Sequence, residues 1–549
     1  MDKLQTFTDK LTRPRIAILM LILGAVAAVL SSARFGLGFF AWIWPIFVLI
    51  FFRQGNLKRK WLWFLPLFIG ANIISTQETV PFPVPVLAVI STLYALILGL
   101  IFQLDRWLIR RQDHFLVTLF LPAAFVTREY LDARGGGGIW GSIANSQLGF
   151  SWFSQLASIT GIFGISFMIY WLASVVVWIM SRIRSHQTFR YGALSYCAIF
   201  LLVLIYGASR YEFNPAKLTM ARIGGISVPS FQFIESLYED YSGKKETLDP
   251  KSSPTSPRLA EMQKAYLPFI ETADTVRFAR GYRAMKTMQD SLLRLTTKAA
   301  DGGAKIVVWS EGNGFVFPFD EEAFLNRAKL VALENKIWLL MTMAVIHPGK
   351  VTPEKKWLEN KAILIRPGGD VANVLHKNKP VPYAEASEPG DGRIPAIPTS
   401  FGTISTSICY DADFPIHMQQ MGKQHTDLLL LPSGDWWAID PYHSHMAVFR
   451  GIENGSSVFR QVSGGLSMAT DYTGRRFGSM DFYTEGEKIW WADLPIGHHQ
   501  TIYSLIGDLF SYLCIGISLA GLVIILSGIN KKSIPTLPVG MLPKYINKP

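Results

Sequence analysis

Three residues of this 549-residue sequence combine side chains that suit nucleophilic catalysis: Cys409, Glu311 and Lys377. Cys409 ends a strand-like run, Glu311 follows another and precedes a glycine loop, and Lys377 lies in a polar segment with Lys379 as an immediate rival. A thiolate is a strong nucleophile, a carboxylate can take the thiol proton, and an ammonium can stabilise an oxyanion. Together the three could form and discharge a covalent acyl intermediate.

Taken alone, each residue has an ordinary structural explanation. A free cysteine is commonly a small core residue, and glutamate and lysine on loops are commonly solvated. Lys377 follows Glu311 by 66 residues, Cys409 follows 32 residues later, and each lies beside a predicted strand end. In layered α/β folds, residues beyond the ends of strands gather at one site. The set therefore predicts a single active site.

The elements that must position these residues lie between about 212 and 500, where short apolar runs alternate with helical patterns. Such alternation predicts a sheet layered with helices. The Pro-rich segment 250–257 predicts a loop insertion, inside a region, 229–281, that is long and charged. Predicted strands cover residues 305–309, 337–345, 361–366, 402–409, 427–431, 456–461 and 464–470, and predicted helices cover 282–300 and 444–454.

The rest of the chain has a composition typical of a membrane protein. Half of all residues are hydrophobic, only 17% are charged, and the mean hydropathy is +0.24, which excludes a disordered chain and an ordinary soluble enzyme. Apolar runs long enough to span a bilayer lie near 15–32, 36–52, 61–75, 83–104, 115–132, 160–180, 191–208 and 503–528. We expect a membrane domain of about seven helices at 1–211, a catalytic domain at 212–500, and a last span with its tail at 501–549.

The distribution of positive charge predicts the orientation. With the N-terminus in the cytoplasm, the cytoplasmic loops and tails hold 18 Lys and Arg, whereas the opposite loops before residue 210 hold only Arg34, Arg128 and Arg134. Positive residues favour the cytoplasmic side. The mixed segment is therefore predicted to lie outside the cytoplasm. This asymmetry also accounts for the net charge of +12 without a nucleic-acid partner.

These motifs resemble a known family. The order Glu311, Lys377, Cys409 is that of the nitrilase superfamily, and with the membrane spans the chain resembles the apolipoprotein N-acyltransferases of bacterial inner membranes. The resemblance also selects Lys377 over Lys379, because the family's lysine lies eight residues before a glutamate, here Glu385. Asp411 stands where that family usually has Glu. Further segments that resemble the family are 128–131, 140–141, 146–149, 377–385, 408–411 and 431–437.

The resemblance implies an αββα sandwich and a two-step transfer. Glu311 deprotonates Cys409, whose thiolate takes an acyl chain from a membrane phospholipid with help from Lys377. The acyl chain then passes to the N-terminal amine of a lipid-modified lipoprotein. The resemblance implies no cofactor, and a metal is not expected because His443 and His445 lack a third ligand at metal-site spacing. We expect a monomer, with supporting roles for Glu385, Tyr410, Asp435 and Trp436.

Two alternatives remain open at this point. The same fold could acylate a different amine, or act as an amidase with water as the acceptor, because the sequence does not show which acceptor reaches the thioester. In another class, a transporter or receptor could carry a soluble domain that only binds a ligand. The presence of Glu311, Lys377 and Cys409 together argues against that class, since binding alone does not need all three.

Overall fold

The computed structural model describes residues 10–55, 57–112, 114–212, 219–352, 355–382 and 384–527. Residues 528–549, which form most of the predicted cytoplasmic tail, lie outside this described part, as does Tyr383 of the lysine segment.

A helix occurs at each of the eight places where hydropathy predicts a span, and seven of these helices are apolar. Four of them are long and apolar enough, by length and composition, to cross a membrane: Val84–Arg111, Phe163–Arg184, Arg190–Glu212 and Leu509–Ser527. Three others are shorter apolar helices, and the helix Phe120–Arg134 has 15 residues. The helices before the first strand are α1 (Pro14–Leu30), α2 (Gly38–Leu49), α3 (Trp61–Thr76), α4 (Val84–Arg111), α5 (Phe120–Arg134), α6 (Ser151–Ser154), α7 (Ala157–Thr160), α8 (Phe163–Arg184) and α9 (Arg190–Glu212).

Strands and helices then alternate, as the sequence predicts. The strands are β1 (Thr219–Ser227), β2 (Ile306–Trp309), β3 (Gly314–Val316), β4 (Trp338–Ile346), β5 (Leu358–Ile365), β6 (Val371–His376), β7 (Ala396–Thr399), β8 (Gly402–Thr406), β9 (Leu428–Gly434), β10 (Ser457–Ser463), β11 (Leu466–Thr470), β12 (Arg476–Asp481) and β13 (Lys488–Ile496). The helices are α10 (Phe231–Ser242), α11 (Pro257–Gln263), α12 (Tyr266–Thr272), α13 (Ala279–Asp301), α14 (Pro318–Asn335), α15 (Pro415–Lys423), α16 (Tyr442–Asn454), α17 (Ile502–Ile506) and α18 (Leu509–Ser527).

Two sheets stack face to face in this part of the chain. The first has the strand order β13-β1-β2-β4-β5-β6, with β3 beside β4, and the second has the order β12-β11-β10-β9-β8-β7. Apolar side chains of both sheets, such as Leu340 and Leu430, fill the space between them. Helices α13 and α14 pack on the outer face of the first sheet, and α15 and α16 on that of the second. The predicted αββα sandwich is therefore confirmed.

One sequence expectation needs correction. The strand predicted over 402–409 ends at Thr406, and Cys409 begins a 3₁₀ turn, Cys409–Asp413. The predicted strand runs on to Cys409 because Ser407, Ile408 and Cys409 are buried like the end of β8, so hydropathy cannot distinguish turn from strand. The predicted loop 250–257 lies between α10 and α11, with Pro257 as the first residue of α11, and the rest of the region 229–281 is mainly helical: α10–α12 pack with α13 around Phe233, Phe269 and Met285.

Candidate active site

The predicted nucleophile, Cys409, lies on a tight turn between β8 and α15. Cys409 has a φ of +47°, in the left-handed region that non-glycine residues seldom adopt. The buried Asp411 carboxylate accepts hydrogen bonds from the backbone N–H of Ile408 at 3.0 Å and of Lys379 at 2.6 Å. One carboxylate therefore supports the strained turn and ties it to the segment that carries Lys377.

Lys377 lies at the centre of a buried charged cluster. Its ammonium donates to Oε1 of Glu311 at 2.7 Å and to Oε2 of Glu385 at 2.6 Å, and its side chain is only 2% exposed. The Asn360 amide donates to both glutamates, at 2.8 and 2.9 Å. A buried ammonium needs such partners, since an unpaired charge would carry a large desolvation cost.

Gly434 connects the carboxylate to the thiol. Its backbone N–H donates to Oε2 of Glu311 at 2.8 Å, and its carbonyl oxygen accepts from the Cys409 thiol at 3.7 Å. Glu311 is thus held on both oxygens, by Lys377 and Asn360 on one side and by Gly434 on the other. The arrangement places a proton acceptor, a cation and a thiol within one small volume.

Burial and the neighbouring charges set the protonation states. Burial and Glu311 raise the pKa of the Cys409 thiol well above its usual value, and Lys377 opposes that shift. Burial alone would lower the pKa of Lys377, but Glu311 and Glu385 raise it well above the usual value. The resting site therefore contains a protonated thiol and a charged ammonium, so the thiol proton must be removed during attack.

A second charged cluster borders the thiol. His443, on α16, contacts Asp435 through Nδ1 at 2.7 Å and Asp413 through Nε2 at 3.0 Å. The guanidinium of Arg460 pairs with both oxygens of Asp435 at 2.9 and 3.0 Å. Burial lowers the pKa of His443, but Asp435 and Asp413 outweigh it and raise this pKa to about 9.

The same cluster has the donor set for a metal ion. Among the described residues, Cys409, Asp435 and His443 form the one group of three ligand-type side chains, with ligand atoms within 4.8 Å of one another. The guanidinium of Arg460 already binds both oxygens of Asp435, so the Asp435 carboxylate is occupied by a protein cation. His445, two residues from His443 on α16, is not in the group.

A cavity of about 930 Å³ joins the site to the apolar helices. Its wall includes Glu311, Lys377 and Cys409 together with side chains of α1, α3, α4 and α5. Two predicted supporting residues contact the membrane part directly. The Tyr410 hydroxyl donates to the carbonyl of Gly136 at 2.7 Å, and the Trp436 indole N–H donates to the carbonyl of Glu78 at 2.7 Å.

The structure brings together the predicted Glu311, Lys377, Cys409 and Glu385, with Asp435 in the adjacent cluster, and leaves Lys379 exposed. Sequence reasoning missed the roles of four residues: Asn360, Gly434, His443 and Arg460. Asn360 borders a predicted strand and Gly434 lies in the recognised 431–437 segment, so their positions gave a signal. For His443 and Arg460 the sequence offers no signal beyond the residue type.

Comparisons with known proteins cover nearly the whole chain. The family model described as "Apolipoprotein N-acyltransferase N-terminal domain" matches residues 24–175, and "Carbon-nitrogen hydrolase" matches residues 279–501. Apolipoprotein N-acyltransferase of Geobacter metallireducens is 25% identical over 540 residues, covering 91% of this chain and 94% of that protein. Apolipoprotein N-acyltransferase 1 of Treponema denticola is 23% identical, covering 94% and 96%. An amidase structure from Nesterenkonia sp. aligns with 38% of this chain and 85% of its own, at 20% identity and a TM-score of 0.32.

The double sheet and the hydrolase match define the class, a carbon-nitrogen hydrolase of the nitrilase superfamily, here joined to a helical membrane part. The N-terminal match and the relatives that align along nearly the whole chain narrow that class. The chain belongs to the apolipoprotein N-acyltransferase family.

Proposed function

We propose that this chain transfers an acyl chain from a membrane phospholipid, through a thioester on Cys409, to the N-terminal amine of a lipid-modified cysteine of apolipoproteins. The observation that carries the proposal is the continuous cavity that joins Cys409, Lys377 and Glu311 to the apolar helices. A donor with long acyl chains and a buried nucleophile can meet only where such a space connects them. The alternative of a water-dependent amidase has no comparable support.

In the first half-reaction Glu311 takes the proton of Cys409 as Sγ attacks the ester carbonyl carbon of the phospholipid. The carbonyl oxygen gains the negative charge, and the Lys377 ammonium stabilises it by a charge-assisted hydrogen bond. Collapse of this intermediate breaks the ester C–O bond. The leaving lysophospholipid oxygen takes the proton from Glu311, so the acyl thioester remains and the site returns to its charge state.

In the second half-reaction the neutral amine of the acceptor attacks the thioester carbon. Glu311 removes a proton from the attacking nitrogen and returns it to Sγ as the C–S bond breaks, which yields an amide and the free thiol. Glu385 positions Lys377, because its carboxylate holds the ammonium at 2.6 Å. A cavity with apolar walls keeps water from the thioester and so favours aminolysis over hydrolysis.

The proposal includes a topology. Residues 1–211 form a membrane domain of seven spans, 212–500 the catalytic domain, and 501–549 the eighth span and its tail. The helices at all eight predicted places, seven of them apolar, and the excess of Lys and Arg in alternate loops support this arrangement in a bacterial inner membrane, with the active site on the extracytoplasmic side. Both substrates are anchored in the bilayer and reach the site by lateral diffusion. We propose a monomer, since one chain contains the complete site.

The test is intact-protein mass spectrometry after incubation with phosphatidylethanolamine. We expect wild type to gain the mass of one acyl chain, removable by hydroxylamine, and Cys409→Ser to gain none that hydroxylamine removes. Cys197→Ser is the matched control, since Cys197 is an exposed thiol on α9 and its loss leaves the adduct unchanged. A hydroxylamine-removable adduct that persists in Cys409→Ser, or no adduct on wild type from any phospholipid, would contradict the proposal.

A further inference from the structure

The cavity wall holds a cation that the reaction described above does not use. Arg128, on α5, lines the same cavity as Cys409, and its side chain is 11% exposed. Its Nη2 pairs with Asp132 at 2.5 Å, and the Tyr94 ring lies 4.9 Å from its Cζ. Its Nη1 is buried and, within the described part of the chain, has no hydrogen-bond partner. An unpaired buried donor on a charged group is costly, so this atom is suited to a ligand anion.

The guanidinium is held in place and has space beside it. Asp132 fixes one edge of the group, and Tyr94 covers a face. Gly141 leaves room beside Nη2, the nitrogen that also pairs with Asp132, because a Cβ at Gly141 would lie 3.2 Å from it. Among the described residues that line the cavity, Arg128 is the one arginine and Lys377 the one lysine. Lys377 is already bound to two glutamates. Arg128 is therefore the cation left for an anionic group.

The segment that follows α5 connects Arg128 to the nucleophile. The backbone N–H of Ile139 donates to the carbonyl of Asp413 at 2.9 Å, and the Gly136 carbonyl accepts from Tyr410 at 2.7 Å. The cavity also has an apolar wall, which includes three residues of α4 spaced for one helix face and exposed by 41%, 57% and 47%: Ile90, Leu93 and Ile97. Among the described residues, the space thus offers one Arg or Lys side chain with an unpaired donor, an apolar wall and the predicted nucleophile, which matches an anionic lipid.

We propose that Arg128 binds the phosphate of the donor phospholipid through its free Nη1 and so positions the ester carbonyl near Cys409. This inference rests on the proposed function. A guanidinium is suited to phosphate because its fork of N–H donors matches the phosphate oxygens. The phosphate charge also offsets the cost of keeping Nη1 away from water.

The test compares two acyl donors with the same chains, phosphatidylethanolamine and diacylglycerol, which lacks the phosphate. For Arg128→Gln we expect the rate of acyl-enzyme formation from the phospholipid to fall about ten- to a hundredfold, the effect of losing one charge-assisted hydrogen bond. With diacylglycerol, wild type and Arg128→Gln should react equally. Arg134→Gln is the matched control, because Arg134 lies on the same helix but does not line the cavity. It should leave both rates unchanged.

Equal losses on both donors would show a structural role for Arg128, and no loss on the phospholipid would show that the phosphate is held elsewhere; either result overturns the proposal. Inhibition of wild type by inorganic phosphate that is lost in Arg128→Gln and does not compete with the phospholipid would assign Arg128 to free phosphate and overturn the proposal too. A wild type that forms no adduct refutes the proposed function instead. In that case native mass spectrometry in the Cys409→Ser background tests the phosphate site separately. The proposal requires that Cys409→Ser retains less phosphatidylethanolamine when Arg128→Gln is added to it.

Discussion

At the residue scale, the site is organised by one buried ammonium between two carboxylates. Replacing Lys377 by Met keeps the length of the side chain but leaves Glu311 and Glu385 buried without their cation. We expect a loss of about 3–5 kcal/mol of stability, as for other buried pairs that lose one partner, and loss of the acyl-enzyme. Thermal unfolding in detergent and adduct formation measure the two effects.

Lys379→Met is the matched control for that change. Lys379 is exposed, two residues away, and carries the same charge. Its replacement should leave the unfolding midpoint and the adduct unchanged. If the two variants behave alike, the distinction between the two lysines that the geometry supports is wrong.

At the element scale, the loop after α5 docks on the nucleophile turn. Gly138 has a φ of +56°, and a Cβ there would lie 2.7 Å from the carbonyl oxygen of Asp413. Gly138→Ala should therefore push the loop from the turn, lower the unfolding midpoint and slow acyl transfer. Gly137→Ala provides the comparison, because its Cβ meets nothing within 4 Å. Equal behaviour of the two variants would show that the loop does not need this close approach.

Helix α16 adds a contribution to stability that depends on pH. The folded-state pKa of His443 is raised to about 9 by Asp435 and Asp413, from a model-peptide value of about 6.5. Its stabilising effect is therefore fully present below about pH 6.5 and is lost as the pH rises through about 9. We expect His443→Gln to cost about 3 kcal/mol at pH 6 and progressively less towards pH 10. A difference in unfolding midpoint that stays constant over this range would contradict the assigned charge.

The elements themselves could largely be predicted from the sequence. Long apolar runs locate a helix at all eight predicted places, and short ones locate β2, β4, β5, β8, β9, β10 and β11 within a few residues. No strand is predicted at β1, β3, β6, β7, β12 or β13, and β12 is largely exposed and polar, so it has no apolar run. The turn at Cys409 was read as strand because hydropathy does not encode φ.

The site was only partly predictable for a similar reason. Glu311, Lys377 and Cys409 have diagnostic side chains in a diagnostic order. Asn360 and Gly434 act through the register of neighbouring strands, which brings residues far apart in the chain to hydrogen-bond distance. A single sequence does not indicate the register of neighbouring strands, so these contacts could be identified only from the structure.

At the scale of the whole molecule, the proposed topology makes a direct prediction. In a background without native cysteines, Thr255→Cys lies in the insertion of the catalytic part, and Ser185→Cys in the loop between α8 and α9; both positions are exposed. An impermeant maleimide added to spheroplasts should label Thr255→Cys at once and Ser185→Cys only after the membrane is permeabilised. The reverse pattern would invert the orientation derived from the charge distribution.

A single-turnover chase tests directly whether one thioester on Cys409 links the acyl donor to the acceptor. Enzyme is first acylated with labelled phospholipid, freed from the donor, and mixed with a diacylated lipopeptide bearing a free N-terminal amine. We expect the label to leave Cys409 and to appear as an amide on the peptide at the same rate. An N-acetylated peptide should receive no label. Release of the label as free fatty acid at a rate indifferent to the peptide would contradict this expectation.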